Sequence, residues 1–168
     1  MTASPEPGIH PPASPELLRS VFRRHAAGVA VITARGEMPA GFTATSLTSV
    51  SADPPMVSFG VASTSVSGGI VARSAHVGVH ILGEHQAELA ATFARRGADR
   101  FGPPTRWRVG PEGVPLLGGV LAWMVCRVVS RVPAGDHSLV VAEAVTGTLS
   151  SPGRPLLYHQ GRFNALRD

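Results

Sequence analysis

The spacing of apolar residues along the chain switches from a helical period to an extended one, with helical stretches returning later. Leu17, Leu18, Val21, Phe22 and His25 recur on one helical face. Ser14-Pro15-Glu16 starts that helix well: Ser can cap it, Pro suits its first position and Glu favours the positive end of its dipole. Gly28 is the expected stop. The apolar face is expected to cover one end of the fold. From residue 29 the pattern is extended. Residues 29–33 form a short apolar strand and Arg35-Gly36-Glu37 a turn. A second strand starts near Gly41 and runs until Asp53-Pro54-Pro55 breaks it. Residues 56–61 make another strand, followed by a short helix through Ala72. Beyond it Val77, Val79 and Ile81 alternate with His76, Gly78 and His80, the pattern of a half-buried strand. The helical period returns over 86–96, with Leu89 and Phe93 inward. Residues 97–118 read as a loop anchored by Trp107. Two long strands, 121–132 and 138–149, flank a Gly135-Asp136 turn, and short segments at 155–158 and 161–163 follow.

Many strands with few helices favour a closed β-barrel, because closure removes exposed strand edges. The length of 168 residues suits one domain with a full core, expected over 15–168. Residues 1–14 are rich in Pro, Ser and Ala and lack the charged and apolar regions of a secretory signal, so they read as a flexible lead-in. No apolar run approaches the roughly 20 residues that span a bilayer, so no membrane partner is expected. The single cysteine, Cys126, lies in an apolar run and reads as a buried, inert thiol. The absence of a disulfide framework fits a cytoplasmic protein.

Charge first points elsewhere. The pI is near 10.9, which invites a nucleic-acid reading. The net charge is only +4, however, and all 15 basic residues are Arg. Arg does not titrate in the relevant range, so it inflates the pI. The arginines are scattered, the densest groups being the pairs Arg23-Arg24 and Arg95-Arg96, with no basic stripe between aromatics. No nucleic-acid partner is expected.

Several chemistries are missing. There is no Gly-x-Gly-x-x-Gly, no Walker loop, no His-Glu-x-x-His and no Gly-x-Ser-x-Gly. His76 and His80 lie about 13 Å apart in extended chain and cannot share a metal ion, so no metal is expected. What remains is hydroxyl-rich. Residues 41–51 carry six hydroxyl side chains in eleven residues, and Ser63, Thr64, Ser65 and Ser67 form a second cluster. Hydroxyls and backbone N–H groups on a sheet rim suit an uncharged heterocycle with a phosphate tail. Ser and Thr are equally ordinary strand and turn residues.

The ordered motifs resolve that choice. They are Gly28-Val29-Ala30-Val31-Ile32-Thr33, Gly41-Phe42-Thr43-Ala44-Thr45-Ser46, Ser49-Val50-Ser51-Ala52-Asp53-Pro54-Pro55, Ala98-Asp99-Arg100-Phe101, Gly135-Asp136-His137-Ser138 and Pro155-Leu156-Leu157-Tyr158. With them the chain resembles the short-chain flavin reductases, the reductase components of two-component flavin-dependent monooxygenases. The resemblance implies a mainly β fold, a split β-barrel of Greek-key type with a few flanking helices, in a homodimer. It implies FMN or FAD as flavin, NADH or NADPH as hydride donor, and a monooxygenase that receives the reduced flavin. Thr43, Ala44, Thr45 and Ser46 then lie against the flavin ring, and Ser49, Val50 and Ser51 offer backbone groups to its polar edge. Ser65 and Ser67 hold the phosphate, and Phe93 and Ala94 lie near the flavin. His137 stands at the nicotinamide side as the catalytic residue, and Arg162 and Phe163 approach the nicotinamide cofactor. The second hydroxyl cluster carries no basic residue. The phosphate therefore also draws on an arginine from elsewhere, Arg95, Arg96 or Arg100.

Hydride transfer asks little acid–base help of a protein, since the cofactors supply the reacting atoms. That accounts for the absence of a carboxylate pair. Asp136 either shapes its turn or holds His137. A flavin-binding barrel without reductase activity is the alternative; the Gly135-Asp136-His137 turn favours the enzyme. A pyridoxal-phosphate enzyme on a related barrel is expected to show a more basic phosphate site.

Overall fold

The computed structural model describes residue 10 and residues 12–150 and 152–167. Most of the expected lead-in, residues 1–9 and 11, lies outside them. Helix α1 (Pro15–Phe22) is capped as its sequence predicts, the Ser14 hydroxyl accepting the Leu17 N–H at 3.1 Å. It stops at Phe22 rather than Gly28, because Ala27–Gly28 extends into a strand, β1, paired with the C-terminal region. The apolar face does not cover the fold. Leu17, Leu18, Val21 and Phe22 are all exposed.

The strands β2 (Ala30–Ala34), β3 (Ala40–Ala44), β4 (Thr48–Ala52) and β5 (Pro55–Ala62) follow. Then come helix α2 (Val66–Arg73), β6 (His76–Ile81) and helix α3 (Ala87–Ala94). Trp107–Val109 (β7) and Pro115–Leu117 (β8) form a small hairpin inside the region expected to be loop. Trp107 anchors it, donating its indole N–H to the Phe101 carbonyl at 2.9 Å with its ring edge-on to Phe101. The long pair β9 (Ala122–Ala134) and β10 (His137–Leu149) turns at Gly135, whose φ is 63°. Last come β11 (Leu156–His159) and β12 (Arg162–Ala165). Their two-residue turn has positive φ at both Gln160 and Gly161, the geometry that matches strand twist in a tight hairpin.

The main sheet has seven strands in the order β3-β2-β6-β9-β10-β5-β4, every pairing antiparallel. The single hydroxyl-rich strand expected over residues 41–51 is thus two strands, and they form the sheet's opposite edges. Only residues 45–47 separate them, so the edges approach within about 14 Å at that end. The edges do not pair with each other, so the barrel is split rather than closed as strand content alone suggests. β1, β11 and β12 make a smaller sheet of three strands.

Two packed layers result. Ile32, Phe59, Val77, Val79, Cys126 and Val140 fill the concave side of the sheet. Val31, Leu82, Phe93 and Leu156 pack between the sheet and α3. β2 is therefore buried on both faces, and so is β6. The half-buried reading of β6 fails for a physical reason. A Cβ at Gly78 would collide with the Thr33 hydroxyl and approach Val114 at 2.9 Å, so only glycine fits beneath β8. His80 is fully buried. Its Nε2 accepts the Leu117 N–H at 3.2 Å, which leaves the proton on Nδ1 to donate to the Val31 carbonyl at 3.0 Å. Both ring nitrogens are satisfied, and desolvation lowers the His80 pKa to about 4. Cys126 is buried as expected, and burial pushes its thiol up to about 11.

Candidate flavin and nucleotide site

The expected ring-binding segment sits on the exposed edge of the sheet. β3 pairs with β2 on one side only. Its other side offers the unpaired N–H and C=O groups of an edge strand. Three cavities follow one another along this segment. The first, ≈ 210 Å³, lies at its start, between Ala40, Gly41, Ser67, Arg100 and Phe101. The second, ≈ 480 Å³, lies between Thr43, Thr45, Ala94, Arg95, Tyr158 and Phe163. The third, ≈ 690 Å³, lies between Arg19, Arg23, His25, Thr45, Ser46 and the Tyr158–Gly161 turn. The second and third share Thr45, Tyr158 and Gly161 as common wall. These two join in one trough beside the strand edge, and the first cavity continues the line at its narrow end, beyond Gly41.

Each element of the trough is held by an identifiable contact. The Thr43 hydroxyl donates to the Ala90 carbonyl at 2.6 Å, tying the strand to α3. Ala44 points into the core. Thr45 and Ser46 are exposed on the link between the sheet edges. The Ser46 hydroxyl accepts the Gly60 N–H at 2.9 Å, fastening that link to β5. The absence of a side chain at Gly60 matters here. A Cβ would lie 3.5 Å from Ser46 Oγ and 3.8 Å from His137 Cδ2, so Ser46 and His137 meet over this glycine. The structure therefore places Ser46 and His137, expected on the ring side and the nicotinamide side, on either side of one glycine, although they lie far apart in sequence.

His137 is half exposed, and its Nδ1 is 2.7 Å from Asp136 Oδ1. The hydrogen bond to His137, then its charge, holds the Asp136 carboxyl below its usual range, with a small contribution from Arg19. A carboxylate only accepts, so Nδ1 carries a proton and Nε2 faces outward. This answers the choice left by the sequence: Asp136 orients His137 besides shaping the turn.

At the narrow end, the two serines differ. Ser65 caps α2, its oxygen accepting the Gly68 N–H at 3.0 Å. Ser67 lines the cavity with Arg100. Arg100 donates from Nε to the Phe93 carbonyl at 3.1 Å and from Nη2 to the Arg95 carbonyl at 2.5 Å. It thus closes the C-terminal end of α3, with Nη1 left over. Desolvation lowers its pKa without threatening its charge. Phe93 is fully buried, so its ring lies beneath the trough, against Gly41, rather than at its surface. Ala94 lines the middle cavity and Phe163 its far wall, its ring 5.4 Å from that of Tyr158. Arg162 is exposed beside Phe163 on β12. Ser49, Val50 and Ser51 lie on β4, the opposite edge, and line none of the three cavities; Val50 is the extra residue of a bulge. Sequence reasoning missed Arg19, Arg23, Tyr158 and Gly161. Among the described residues no group of His, Cys, Asp and Glu is placed to hold a metal.

The model of the flavin reductase like domain matches residues 22–167. The chain belongs to the flavin reductase family. An NADH:FMN oxidoreductase of Rhodococcus erythropolis is 44% identical over 151 residues, covering 86% of this chain and 78% of that one. The reductase component of a 4-nitrophenol 4-monooxygenase/4-nitrocatechol 2-monooxygenase of Rhodococcus opacus is 36% identical, covering 86% and 77%. The crystal structure of a flavin reductase domain protein from Arthrobacter sp. FB24 superposes with a TM-score of 0.86 at 41% identity, covering 91% of this chain and 96% of that one. The mainly β split-barrel fold is that of this family.

Proposed function

We propose that this flavin reductase oxidises NADH or NADPH and reduces FMN or FAD, supplying reduced flavin to a partner monooxygenase. The observation that carries the reading is the trough. It offers a strand edge and hydroxyls where a flavin ring needs hydrogen bonds, and arginines where its phosphate ends. The residues fit the group. Gly41 to Thr45 is four residues of strand, about 13 Å, and separates the Ser67–Arg100 cavity from the ring-binding middle. Bound flavin supplies the electron-accepting chemistry, taking a hydride from the nicotinamide. The chain's own residues position the two rings. Edge-strand backbone groups and Thr45 orient one ring. Phe163 and Tyr158 wall the middle and exclude water from it. His137, held by Asp136, presents Nε2 towards the nicotinamide side, where it donates a hydrogen bond when protonated and can pass that proton on. Ser67, Arg100 and the α2 N-terminus serve the phosphate.

The activity needs the nicotinamide and flavin rings stacked at roughly 3–3.5 Å. The decisive experiment is the loss of near-ultraviolet NADH absorbance when FMN or FAD is added to the purified protein. No turnover with either flavin, under conditions where flavin binds, refutes the enzyme and leaves a flavin-binding barrel.

A homodimer is part of this reading. Leu139 and Val132 are paired across β9 and β10, and both are exposed on the outer face that also carries Gly60 and His137. A second copy seated there covers this face and borders the site. A cytoplasmic location fits the lone, buried Cys126. No helix among the described residues is long and apolar enough to cross a membrane.

A further inference from the structure

Beyond Thr45 and Ser46, the wide end of the trough has no task in the flavin half of the site. It is lined by Arg19, Arg23 and His25, and no carboxylate lines it or the middle cavity. Arg19 and Arg23 stand four residues apart at the end of α1, so they project from the same side of the helix. The Arg19 guanidinium pairs with Glu16 at 3.4 Å, both exposed, and acts on the Asp136 carboxylate only through a small charge effect; exposed pairs hold weakly. The Arg23 guanidinium has no hydrogen-bond or ion-pair partner among the described residues. Its Nη1 reaches to 4.0 Å from where a Gly161 side chain would stand, and both residues line the cavity. Its backbone is fixed at the same point, the Arg23 carbonyl accepting the Gln160 N–H at 3.1 Å. Two cations without strong partners over a cavity of ≈ 690 Å³ that no carboxylate lines suit an anion.

Position says which anion. The middle cavity is lined by the hydroxyl residues Thr43 and Thr45 together with Arg95, and a further arginine-bearing cavity lies towards each end of the segment. Arg100 and Ser67 occupy one end, beyond Gly41. Arg19 and Arg23 occupy the other, beyond Thr45, and Ser46 at that end adjoins His137. Two ligands whose rings stack in the middle send their phosphate tails outward. The flavin phosphate takes the Arg100 end, which leaves the His137 side for the tail of the nicotinamide. Residues 45–48 span at most about 10 Å, the scale of one ribose-phosphate arm. We propose that Arg19 and Arg23 clamp the pyrophosphate of the nicotinamide dinucleotide, making the C-terminal end of α1 a specificity element for the hydride donor. This rests on the reductase reading above.

The test compares wild type with Arg19→Gln/Arg23→Gln. Steady-state KM is measured for NADH and for 1-benzyl-1,4-dihydronicotinamide, which carries the reducing ring without phosphates. It is also measured for FMN and for FAD. ADP-ribose binding is followed calorimetrically on the purified, unreacted protein. The expected result is a rise of about tenfold in KM for NADH and in Kd for ADP-ribose, the loss of one charge-assisted hydrogen bond's worth of binding. KM for the benzyl donor and for FMN is expected to stay within twofold. Equal rises for both donors, or no rise for NADH, overturn the proposal. A rise for FAD with FMN and NADH unmoved also overturns it, assigning the clamp to a flavin dinucleotide instead. If the wild type oxidises neither donor with any flavin, the reductase reading falls, and ADP-ribose binding alone then decides whether the clamp exists.

Discussion

His80 sits at the centre of the sheet and makes acid a probe of the fold that carries the site. Its imidazole is neutral in the folded protein, with desolvation lowering its pKa from 6.5 to about 4. The unfolded chain regains the ordinary value of about 6.5. Between these values the unfolded state binds the extra proton, so stability falls as pH falls. The contribution is intact above about pH 6.5, is lost progressively below it, and levels off near pH 4. The gap is about 2.5 units at 1.36 kcal/mol each, or about 3 kcal/mol in all. The matched variant is His80→Gln, which keeps a donor and an acceptor but does not titrate. Urea unfolding at pH 7.5, 6.5, 5.5 and 4.5 is expected to show the wild type losing about 2.5 kcal/mol more than the variant over this range. Carboxylates contribute to both proteins and cancel in the difference. Should the variant not fold, ring chemical shifts of His80 in the wild type decide the matter, remaining those of the Nδ1–H tautomer down to pH 5. A titration midpoint near 6.5, or parallel stability curves for the two proteins, would show that the ring is not sealed between Val31 and Leu117.

His137→Ala is expected to raise KM for NADH several-fold while leaving KM for flavin within twofold; equal effects on both speak against its place at the nicotinamide side. Asp136→Asn loosens the exposed hydrogen bond that orients His137, and exposed pairs hold weakly, so it is expected to change NADH KM by less than about fivefold, well below the effect of His137→Ala. Gly41→Ala puts a Cβ 2.9 Å from both the Ile32 carbonyl and the Phe93 ring; overpacking of this kind costs roughly 1–3 kcal/mol, read as a lower Tm together with weaker flavin binding. Arg100→Ala is expected to weaken FMN much more than riboflavin, which lacks the phosphate, in fluorescence titrations. Leu139→Arg is expected to reduce the mass measured by light scattering from that of a dimer to that of one chain.

The strands with long apolar runs were legible, and the reason is local. β9 and β10 are each thirteen residues long, and the Gly135-Asp136 turn between them is strong punctuation. Ser65 announced α2 because its cap lies within one turn of chain. β7 and β8 were hidden because each is only three residues long in a region dense in Gly and Pro. β6 was read as half-buried because Gly78 and His80 look polar or neutral in a pattern, while the fold buries one under Val114 and satisfies the other with two backbone groups. The site divided in the same way. Residues 43–46 stood out by hydroxyl density and by resemblance. Arg19 and Arg23 did not, because only the pairing of Ala27 with Tyr158 and the bond from Gln160 to Arg23 carry them to the trough. No spacing in the sequence encodes such a meeting.

The three-residue link between β3 and β4 also bears on motion. These strands are first and last in the order of the sheet, yet residues 45–47 join them directly. The link works as a hasp across a seam, and Ser46 is its catch on β5. A flavin held along β3 and over the link, as proposed above, would rest on that seam. Its occupancy is then felt as breathing of the sheet as a whole. Amide exchange at residues 49–52 of β4, which line none of the trough, is expected to slow on saturation with flavin in step with exchange in β3.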